Sequence, residues 1–143
     1  MLKIVIDTNV LVSALIQRSY PNFIVQALLE NNRLQICVSK ELLDEYYEVL
    51  ARPKFSRFSD FYFKAKLLLV DIEKSAFLYE PSLKLNLISD KDDNMILELA
   101  DECLADYIIT GNSTDFTFPT YKNTKIVSPK EFWEEIINNK YEL

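Results

Sequence analysis

The feature that most constrains the fold is a set of short apolar runs without alternation of polar and apolar residues. They are LKIVI at 2–6, LQICV at 34–38, YIIT at 107–110 and the shorter KIV at 125–127. Strands that are apolar along their whole length are typical of parallel sheets that helices cover on both faces. The sequence therefore predicts an α/β fold in which helices connect parallel strands.

Helical patterns separate these strands, with helices predicted over residues 9–17, 21–30, 39–50, 60–77, 93–105 and from 128 onward. Ser39 and Ser59 stand where side chains cap the helices that follow, and Ser128 with Glu131 forms a capping-box pattern. Residues 79–91 are predicted to be irregular. Since the chain shows neither internal repeats nor low-complexity tracts, we expect residues 1–143 to form a single domain.

The amino-acid composition restricts the chemistry of any site. The 143 residues contain no histidine and only two cysteines, Cys37 and Cys103. This excludes a Ser-His-Asp triad, an imidazole base and a histidine-ligated zinc, and two cysteines alone cannot hold a structural zinc. A catalytic site must therefore use carboxylates, amides, hydroxyls, lysines or arginines, and a metal in it would be Mg²⁺ or Mn²⁺ with oxygen ligands.

Charge and hydropathy bear on whether the chain binds nucleic acid, crosses a membrane or is secreted. A net charge of -6 is unfavourable for binding nucleic acid through many phosphate contacts, although an enzyme can concentrate basic residues in one place. No apolar run approaches the ~20 residues that span a bilayer, and the N-terminal segment lacks the basic start of a signal peptide. We expect both cysteines to be buried thiols and the protein to be cytoplasmic.

Four acidic residues stand where they can meet in the crevice beyond the carboxyl ends of the strands, the place where parallel sheets bind ligands. Asp7 directly follows the first strand, and Glu45 lies on the apolar face of the helix after the second. Asp93 opens the helix before the third strand, and Asp115 follows that strand. Carboxylates in one pocket repel one another, and a divalent cation makes such a cluster favourable.

Each acid also has a plain structural interpretation. Asp7 is a favourable helix cap, and Glu45 can be a solvated helix residue. Asp93 can complement a helix dipole, and Asp115 can form a turn. It is the joint placement of the four that favours a Mg²⁺ or Mn²⁺ site.

In these motifs the chain is similar to the PIN (PilT N-terminus) domain family, and in particular to its toxin components of toxin–antitoxin systems. The matching motifs are VIDTNVLVSAL at 5–15, VSKELLDEYYEVLARPKF at 38–55, DKDDNMILELA at 90–100 and ADYIITGNSTDF at 105–116. The resemblance implies a three-layer α/β/α fold with a parallel sheet of four or five strands. It also implies Mg²⁺- or Mn²⁺-dependent ribonuclease activity.

The resemblance also assigns roles to individual residues. The implied functional residues are Asp7, Asp93 and Asp115 as ligands of one or two ions, Glu45 as the catalytic carboxylate that handles the water, and Asn9 and Asn112 as supporting polar groups. Relatives often carry Asp at position 112, so Asn112 leaves one negative charge fewer. Asp90 is expected to support the ligands from further out, and its neighbour Asp92 to be solvated.

The implied reaction is hydrolysis of RNA by a type II toxin, in which Glu45 orients or deprotonates the attacking water and cleavage leaves a 5′-phosphate and a 3′-hydroxyl. The implied partners are a cognate antitoxin and a second copy of the chain. The alternative is a non-catalytic PIN module that binds a metal, nucleic acid or an antitoxin. Receiver domains and haloacid-dehalogenase-type phosphatases also carry acids at strand ends, but both need a second acid close to Asp7, where this chain has Thr8 and Asn9.

A basic, aromatic stretch, RPKFSRFSDFYFKAK at 52–66, stands apart from these motifs. In one interpretation Arg52, Lys54 and Arg57 contact RNA phosphates while the interleaved aromatic rings stack on bases. The rings equally fit the core of a helical hairpin with solvated charges, or an exposed interface to an antitoxin or a second copy. The sequence leaves these three interpretations open.

Overall fold

The computed structural model describes residues 1–88, 91–111, 116 and 118–137. Strands and helices alternate along most of the chain. The elements are β1 (Leu2–Ile6), α1 (Thr8–Ile16), α2 (Tyr20–Glu30), β2 (Leu34–Ser39), α3 (Lys40–Leu50), a 3₁₀ turn (Pro53–Phe55), α4 (Phe61–Ser75), β3 (Phe77–Tyr79), α5 (Lys91–Cys103), β4 (Tyr107–Ile109), β5 (Thr120–Tyr121), β6 (Thr124–Val127), α6 (Pro129–Phe132) and a π-helical turn (Trp133–Ile137).

The strands form one sheet in the order β3-β2-β1-β4-β6-β5. Strands β3, β2, β1, β4 and β6 are mutually parallel, and β5 pairs antiparallel with β6. Helix α5 contacts β1 through β4, while α2 contacts α1, α4 and α6. This is the predicted three-layer α/β/α fold, because helices that connect parallel strands with right-handed crossovers cover both faces of the sheet.

Strand β1 lies in the middle of the sheet, between β2 and β4, which explains its largely apolar sequence. Ile4, Val5 and Ile6 are almost completely buried. The register pairs Ile6 with Ile109, so β1 and β4 end side by side at the same edge of the sheet. The residues that follow these two strands are therefore neighbours, although about 100 positions separate them in the chain.

Two short strands were not predicted. The segment that forms β3 was assigned partly to a helix and partly to irregular structure, and its Phe77 and Leu78 are exposed. An edge strand of three residues with exposed side chains gives no burial pattern to recognise. Strand β5 has only two residues, and its pairing with β6 depends on a turn rather than on apolar periodicity.

The predicted helix caps are mostly confirmed. The Ser39 hydroxyl accepts from the backbone N–H of Leu42 at 3.1 Å, and the Ser128 and Glu131 capping box is complete. The prediction for Ser59 is wrong, because α4 begins after Asp60, whose backbone is left-handed with φ of 58°. Asp tolerates that conformation better than most residues, and it places Ser59 outside the cap position.

Both cysteines are buried thiols, as predicted. Hydrogen bonding to Cys37 and burial raise the pKa of the Cys103 thiol, so this group stays protonated. Among the helices of the described ranges, none is long and apolar enough to cross a membrane.

Candidate active site

Asp7 lies at the switch point of the sheet. From β1 the chain adds β2 and β3 on one side and β4 and β6 on the other, so the order reverses between β1 and β4. Asp7 follows β1, and its backbone N–H donates to the carbonyl of Ile109, the last residue of β4, at 2.9 Å. Ligands of open α/β sheets bind in the crevice outside such a point.

The Asp7 side chain is held there by polar neighbours. The residue is only 6% exposed, and Thr110 Oγ1 donates to its Oδ2 at 2.7 Å. Asn9 Nδ2 approaches the same oxygen at 3.3 Å, while Asn9 Oδ1 accepts from the backbone N–H of Gly111 at 3.0 Å. A Cβ at position 111 would lie 3.3 Å from that Oδ1, so glycine permits the close approach of the two segments. These donors supply hydrogen bonds that a buried carboxylate requires.

The helix-cap interpretation of Asp7 does not describe what its side chain does. Asp7 occupies the N-cap position of α1, whose residues are all described, but its side chain makes no capping hydrogen bond there. Its Oδ2 instead accepts from Thr110 on the neighbouring strand end. The carboxylate is therefore hydrogen-bonded to Thr110, directly after β4, rather than to the N-terminus of α1.

Helix α3 is joined to the carboxyl end of β1 by two adjacent side chains. Tyr46 is fully buried, and its hydroxyl donates to the carbonyl of Ile6 at 2.6 Å. Glu45 accepts a hydrogen bond at Oε2 from the hydroxyl of Thr8. Since Ile6 and Thr8 flank Asp7 in the chain, these bonds bring Glu45 to the segment that carries Asp7.

The electrostatic environment of Glu45 is unusual for a helical glutamate. Partial burial raises its pKa from the ordinary 4.5 to about 7, and the negative charges of Asp92 and Asp7 act in the same direction. The hydrogen bond from Thr8 opposes the shift because it stabilises the charged form. Glu45 is therefore close to half-protonated at neutral pH, which suits a group that exchanges protons with a reactant.

The first turn of α5 carries two acids with different surroundings. Asp93 is 6% exposed, whereas Asp92 is exposed. Asp92 is exposed, as predicted, yet it raises the pKa of Glu45 through its charge and through a side-chain hydrogen bond. The sequence pattern missed this contact because adjacent acids at a helix start give no sign of which one approaches Glu45.

Asn94 fixes the segment that leads into α5. It is 4% exposed, its Oδ1 accepts from the backbone N–H groups of Leu87 and Ile88 at 3.0 Å each, and its Nδ2 donates to the Ile88 carbonyl at 2.6 Å. One side chain thus binds three backbone groups in the irregular segment before α5. We call these three hydrogen bonds the Asn94 clamp. Because Asn94 directly follows Asp93, the clamp also fixes the start of α5, the helix that carries Asp92 and Asp93.

Three of the predicted functional residues, Asp90, Asn112 and Asp115, lie outside the described residues. Within the described ranges, no three Asp, Glu, Cys or His side chains cluster closely enough to hold a metal ion. The donor type nevertheless fits a hard cation, since Asp7 and Glu45 offer only oxygen atoms. The repulsion that raises the pKa of Glu45 is also of the kind that a divalent cation relieves.

A cleft of about 510 Å³ opens between α3 and α5 beside Glu45. Among the described residues, the acidic lining is formed by Glu41, Asp44, Glu45, Glu48, Asp92 and Glu98, and Lys84 contributes a positive charge. Asp7 does not line this cleft. Glu45 is therefore reached from solvent through the cleft, while Asp7 is only 6% exposed.

Three residues that support the site were not singled out from the sequence. They are Tyr46, Asn94 and Thr110. The sequence signal was clearest for Thr110. This polar residue follows an apolar strand, as Asp7 does, and both strands end at the same edge of the sheet. The sequence gave no signal for Tyr46, because a tyrosine at helical spacing among leucines is typical of an ordinary core residue.

The basic, aromatic stretch divides into packed rings and exposed charges. Phe55 and Phe61 are buried and stack at 4.6 Å between ring centroids, so these two rings are not available to bases. Arg52 pairs with Glu48 at 2.9 Å, and Lys54 lies over the Phe55 ring at 5.3 Å. Arg57 likewise lies over Phe58, at 4.9 Å from its centroid. The contact of Arg52, Lys54 and Arg57 with RNA stays a prediction.

Comparison with known proteins gives a family match and a relative that aligns over most of the chain. The sequence model of the PIN domain family matches residues 3–114. Uncharacterized protein MJ1680 of Methanocaldococcus jannaschii is 28% identical to this chain over an alignment that covers 94% of the chain and 91% of that protein.

A solved structure has the same fold. The crystal structure of VapBC2 from Rickettsia felis, bound to a DNA fragment from their promoter, contains a chain that superimposes with a TM-score of 0.59. The match covers 89% of this chain and 98% of that chain, at 17% sequence identity. The likeness confirms the predicted fold class.

Replacing Asn94 with alanine should destabilise the fold, because the N–H groups of Leu87 and Ile88 would lose their acceptor. We expect the free energy of unfolding to fall by about 2–3 kcal/mol, measured by urea denaturation. Hydrogen exchange at the Leu87 and Ile88 amides should accelerate as well. N32A, at an exposed loop asparagine, serves as the control and should change stability by less than about 0.5 kcal/mol. Equal stability of N94A and N32A would contradict the clamp.

The raised pKa of Glu45 predicts a pH-dependent difference in stability between the native chain and E45Q. Between about pH 4.5 and 7 the unfolded chain loses the Glu45 proton before the folded chain does, so the native protein loses stability relative to E45Q as the pH rises. Because the side chain is partly exposed, we expect a relative gain for E45Q of only about 1 kcal/mol across this range. Urea denaturation in metal-free buffer measures it.

The control for this measurement is E30Q, at an exposed glutamate that ends α2. The stability of E30Q relative to the native chain should stay constant over the same pH range. If the difference in stability between E45Q and the native chain is also constant over this pH range, Glu45 titrates like a solvated carboxyl and our description of its surroundings is wrong.

Proposed function

This chain belongs to the PIN domain family, and we propose that it is a divalent-metal-dependent endoribonuclease, the toxin of a type II toxin–antitoxin pair. The observation that carries the proposal is the placement of Glu45 near enough to Asp7, at the switch point of the sheet, for the charge of Asp7 to raise the pKa of Glu45. Thr110 holds Asp7 on one side, and Thr8 holds Glu45 on the other. A site with this position and without histidine suits hydrolysis of phosphodiesters by carboxylate chemistry.

We assign the proton-handling role to Glu45. A pKa of about 7 allows its carboxylate to accept a proton from water near neutral pH and its acid form to return one. Thr8 holds the Oε2 atom, and the cleft between α3 and α5 gives solvent and substrate access to this side chain. The activated water attacks phosphorus, the bond to the 3′-oxygen breaks, and the products carry a 5′-phosphate and a 3′-hydroxyl.

The remaining acids would hold the cofactor. We propose Asp7, Asp93 and Asp115 as the residues that bind Mg²⁺ or Mn²⁺, with Asn9, Asn112 and Asp90 in support. A bound divalent ion polarises phosphoryl oxygens and lowers the pKa of water. The buried positions of Asp7 and Asp93 support this assignment, since charged side chains in such places are ordinarily paired or bound to a metal.

The toxin role rests on the family and on the fold shared with a chain of the VapBC2 complex. We propose a cognate antitoxin as the protein partner and the cytoplasm, where the two free cysteines stay reduced, as the location. Induced expression in a bacterial host should stop growth. D7N, expressed to the same level, should leave growth normal, and arrest by both proteins would argue against toxicity through this site.

The central experiment is cleavage of a 5′-labelled single-stranded RNA by purified protein in the presence of Mn²⁺. The native chain should cut it, and chelation with EDTA should stop the reaction. We expect E45Q to lower kcat by about 10²–10⁴-fold, the range typical of removing a general base. D7N should lose cleavage because it removes a proposed ligand of the metal. The native pH profile should rise as Glu45 ionises, at a pH below about 7 because the bound cation lowers the pKa of that carboxyl, and this rise should be absent from the residual activity of E45Q.

E30Q, purified in the same way, controls for a contaminating nuclease and should cut at the native rate. No cleavage by the native chain, or equal cleavage by native chain and D7N, would overturn the proposal. Binding of Mn²⁺ without any cleavage would instead identify the alternative, a PIN module that binds but does not cut.

A further inference from the structure

A second cavity lies at the edge of the sheet that carries Asp7, on the side of β4 and β6. Its volume is about 370 Å³, and we call it the β4–β6 cavity. The register pairs Ile6 with Ile109 and Ile109 with Val127, so β1, β4 and β6 end side by side. Thr110 lines the cavity, and its Oγ1 donates to Asp7 Oδ2 at 2.7 Å. The cavity therefore adjoins the candidate active site.

The walls of the β4–β6 cavity suit a flat aromatic ligand. Phe116 is 6% exposed, while Phe118 and Ile126 are half-buried and pack against the core. All three side chains belong to residues that line the cavity. Nucleobases stack on partly exposed aromatic rings of this kind, and the volume lies within the range of about 300–1,000 Å³ that is typical of small-molecule sites. A nucleobase therefore fits the cavity in size and polarity.

Glu131 supplies a polar group to the same lining. Its Oε1 accepts from the backbone N–H of Ser128 at 2.9 Å, as part of the capping box of α6, and this bond orients the carboxylate. An ionised carboxylate offers only acceptors. Guanine presents two adjacent donors on its Watson–Crick edge, N1–H and the N2 amine, whereas adenine and cytosine present a donor beside an acceptor and uracil a donor between two acceptors. A carboxylate in this place therefore favours guanine over the other bases.

The distribution of charge around Asp7 favours the β4–β6 cavity as the place for a base. Six acids line the cleft between α3 and α5, and their charge repels the phosphates of nucleotides beyond the one that a bound cation would neutralise. Among the described residues that line the β4–β6 cavity, Glu131 is the one acid. A nucleobase carries no charge, so it enters this cavity without such repulsion.

We propose that the β4–β6 cavity binds a guanine base of the RNA substrate, next to the phosphate that is cleaved. The ring stacks on Phe118, and its N1–H and N2 amine donate to the carboxylate of Glu131. The site then selects cleavage beside guanine in single-stranded RNA, whose unpaired bases expose their Watson–Crick edges. This inference rests on the proposed function, because it assigns a base of the RNA that the nuclease cuts.

Fluorescence anisotropy of labelled pentanucleotides in buffer with EDTA tests the base preference separately from cleavage. The native chain should bind UUGUU at least about tenfold more tightly than UUAUU or UUUUU, the discrimination that one bidentate contact between a side chain and a base provides. E131Q keeps an acceptor for the capping box, but its amide pairs with the donor and acceptor of adenine, so it should prefer UUAUU to UUGUU. E135Q, at an exposed glutamate of the π-helical turn, should keep the native preference.

A second variant tests stacking on Phe118. F118A should bind all three pentanucleotides about tenfold more weakly, because stacking depends little on the identity of the base. F77A, at a phenylalanine that is 54% exposed on β3, should bind like the native chain. Circular dichroism checks that both variants are folded, and E131Q carries the test if F118A folds poorly.

The outcomes separate this inference from the proposed nuclease activity. A guanine preference without cleavage would contradict the nuclease activity and support the base site, and cleavage without a base preference in binding would do the opposite. Equal affinity for the three pentanucleotides, undetectable binding of all three, or a guanine preference that E131Q retains would overturn the inference. So would binding of GMP as tight as that of UUGUU, because the cavity would then serve a free nucleotide.

Discussion

The candidate site depends on the hydrogen bonding that keeps the Asp7 carboxylate in a nearly buried position. A carboxylate that leaves water without partners costs several kcal/mol, and the fold would then lose either the charge or the position. Thr110 supplies a donor from the end of β4, and Asn9 supplies a second from the start of α1. The start of a helix is also a favourable place for negative charge. Pairing of β1 with β4 is what brings these groups together.

The surroundings of Glu45 differ from those of Asp7, because they disfavour its charged form. The hydroxyl of Thr8 donates to it, but it stands beside Asp92 and within the field of Asp7, in a cleft lined mostly by acids. Burial and repulsion raise the pKa of Glu45 to about 7. Tyr46 determines this position, because its buried hydroxyl binds the Ile6 carbonyl and so fixes α3 against the end of β1. Carboxylates placed in different environments can take different roles in one reaction.

Local sequence was sufficient to predict the features that depend on neighbouring residues. The apolar runs, the cap at Ser39 and the capping box at Ser128 follow from short-range geometry, and the position of Asp7 follows from the rule for parallel sheets. The contacts that build the site are long-range: Thr110 is 103 positions from Asp7, and Glu45 is 37 from Thr8. The packing of α5 decides which of two adjacent acids, Asp92 or Asp93, approaches Glu45. A local sequence pattern does not predict that packing.

The central claim is that Asp7 is the carboxylate around which a divalent-cation site is built. Titration of Mn²⁺ followed by electron paramagnetic resonance measures it without any substrate, because the signal of free aqueous Mn²⁺ falls as the ion binds. The native chain should take up Mn²⁺ and D7N should leave the free signal unchanged over the same concentrations, with both proteins equally folded by circular dichroism. Equal uptake by the native chain and D7N would contradict the account.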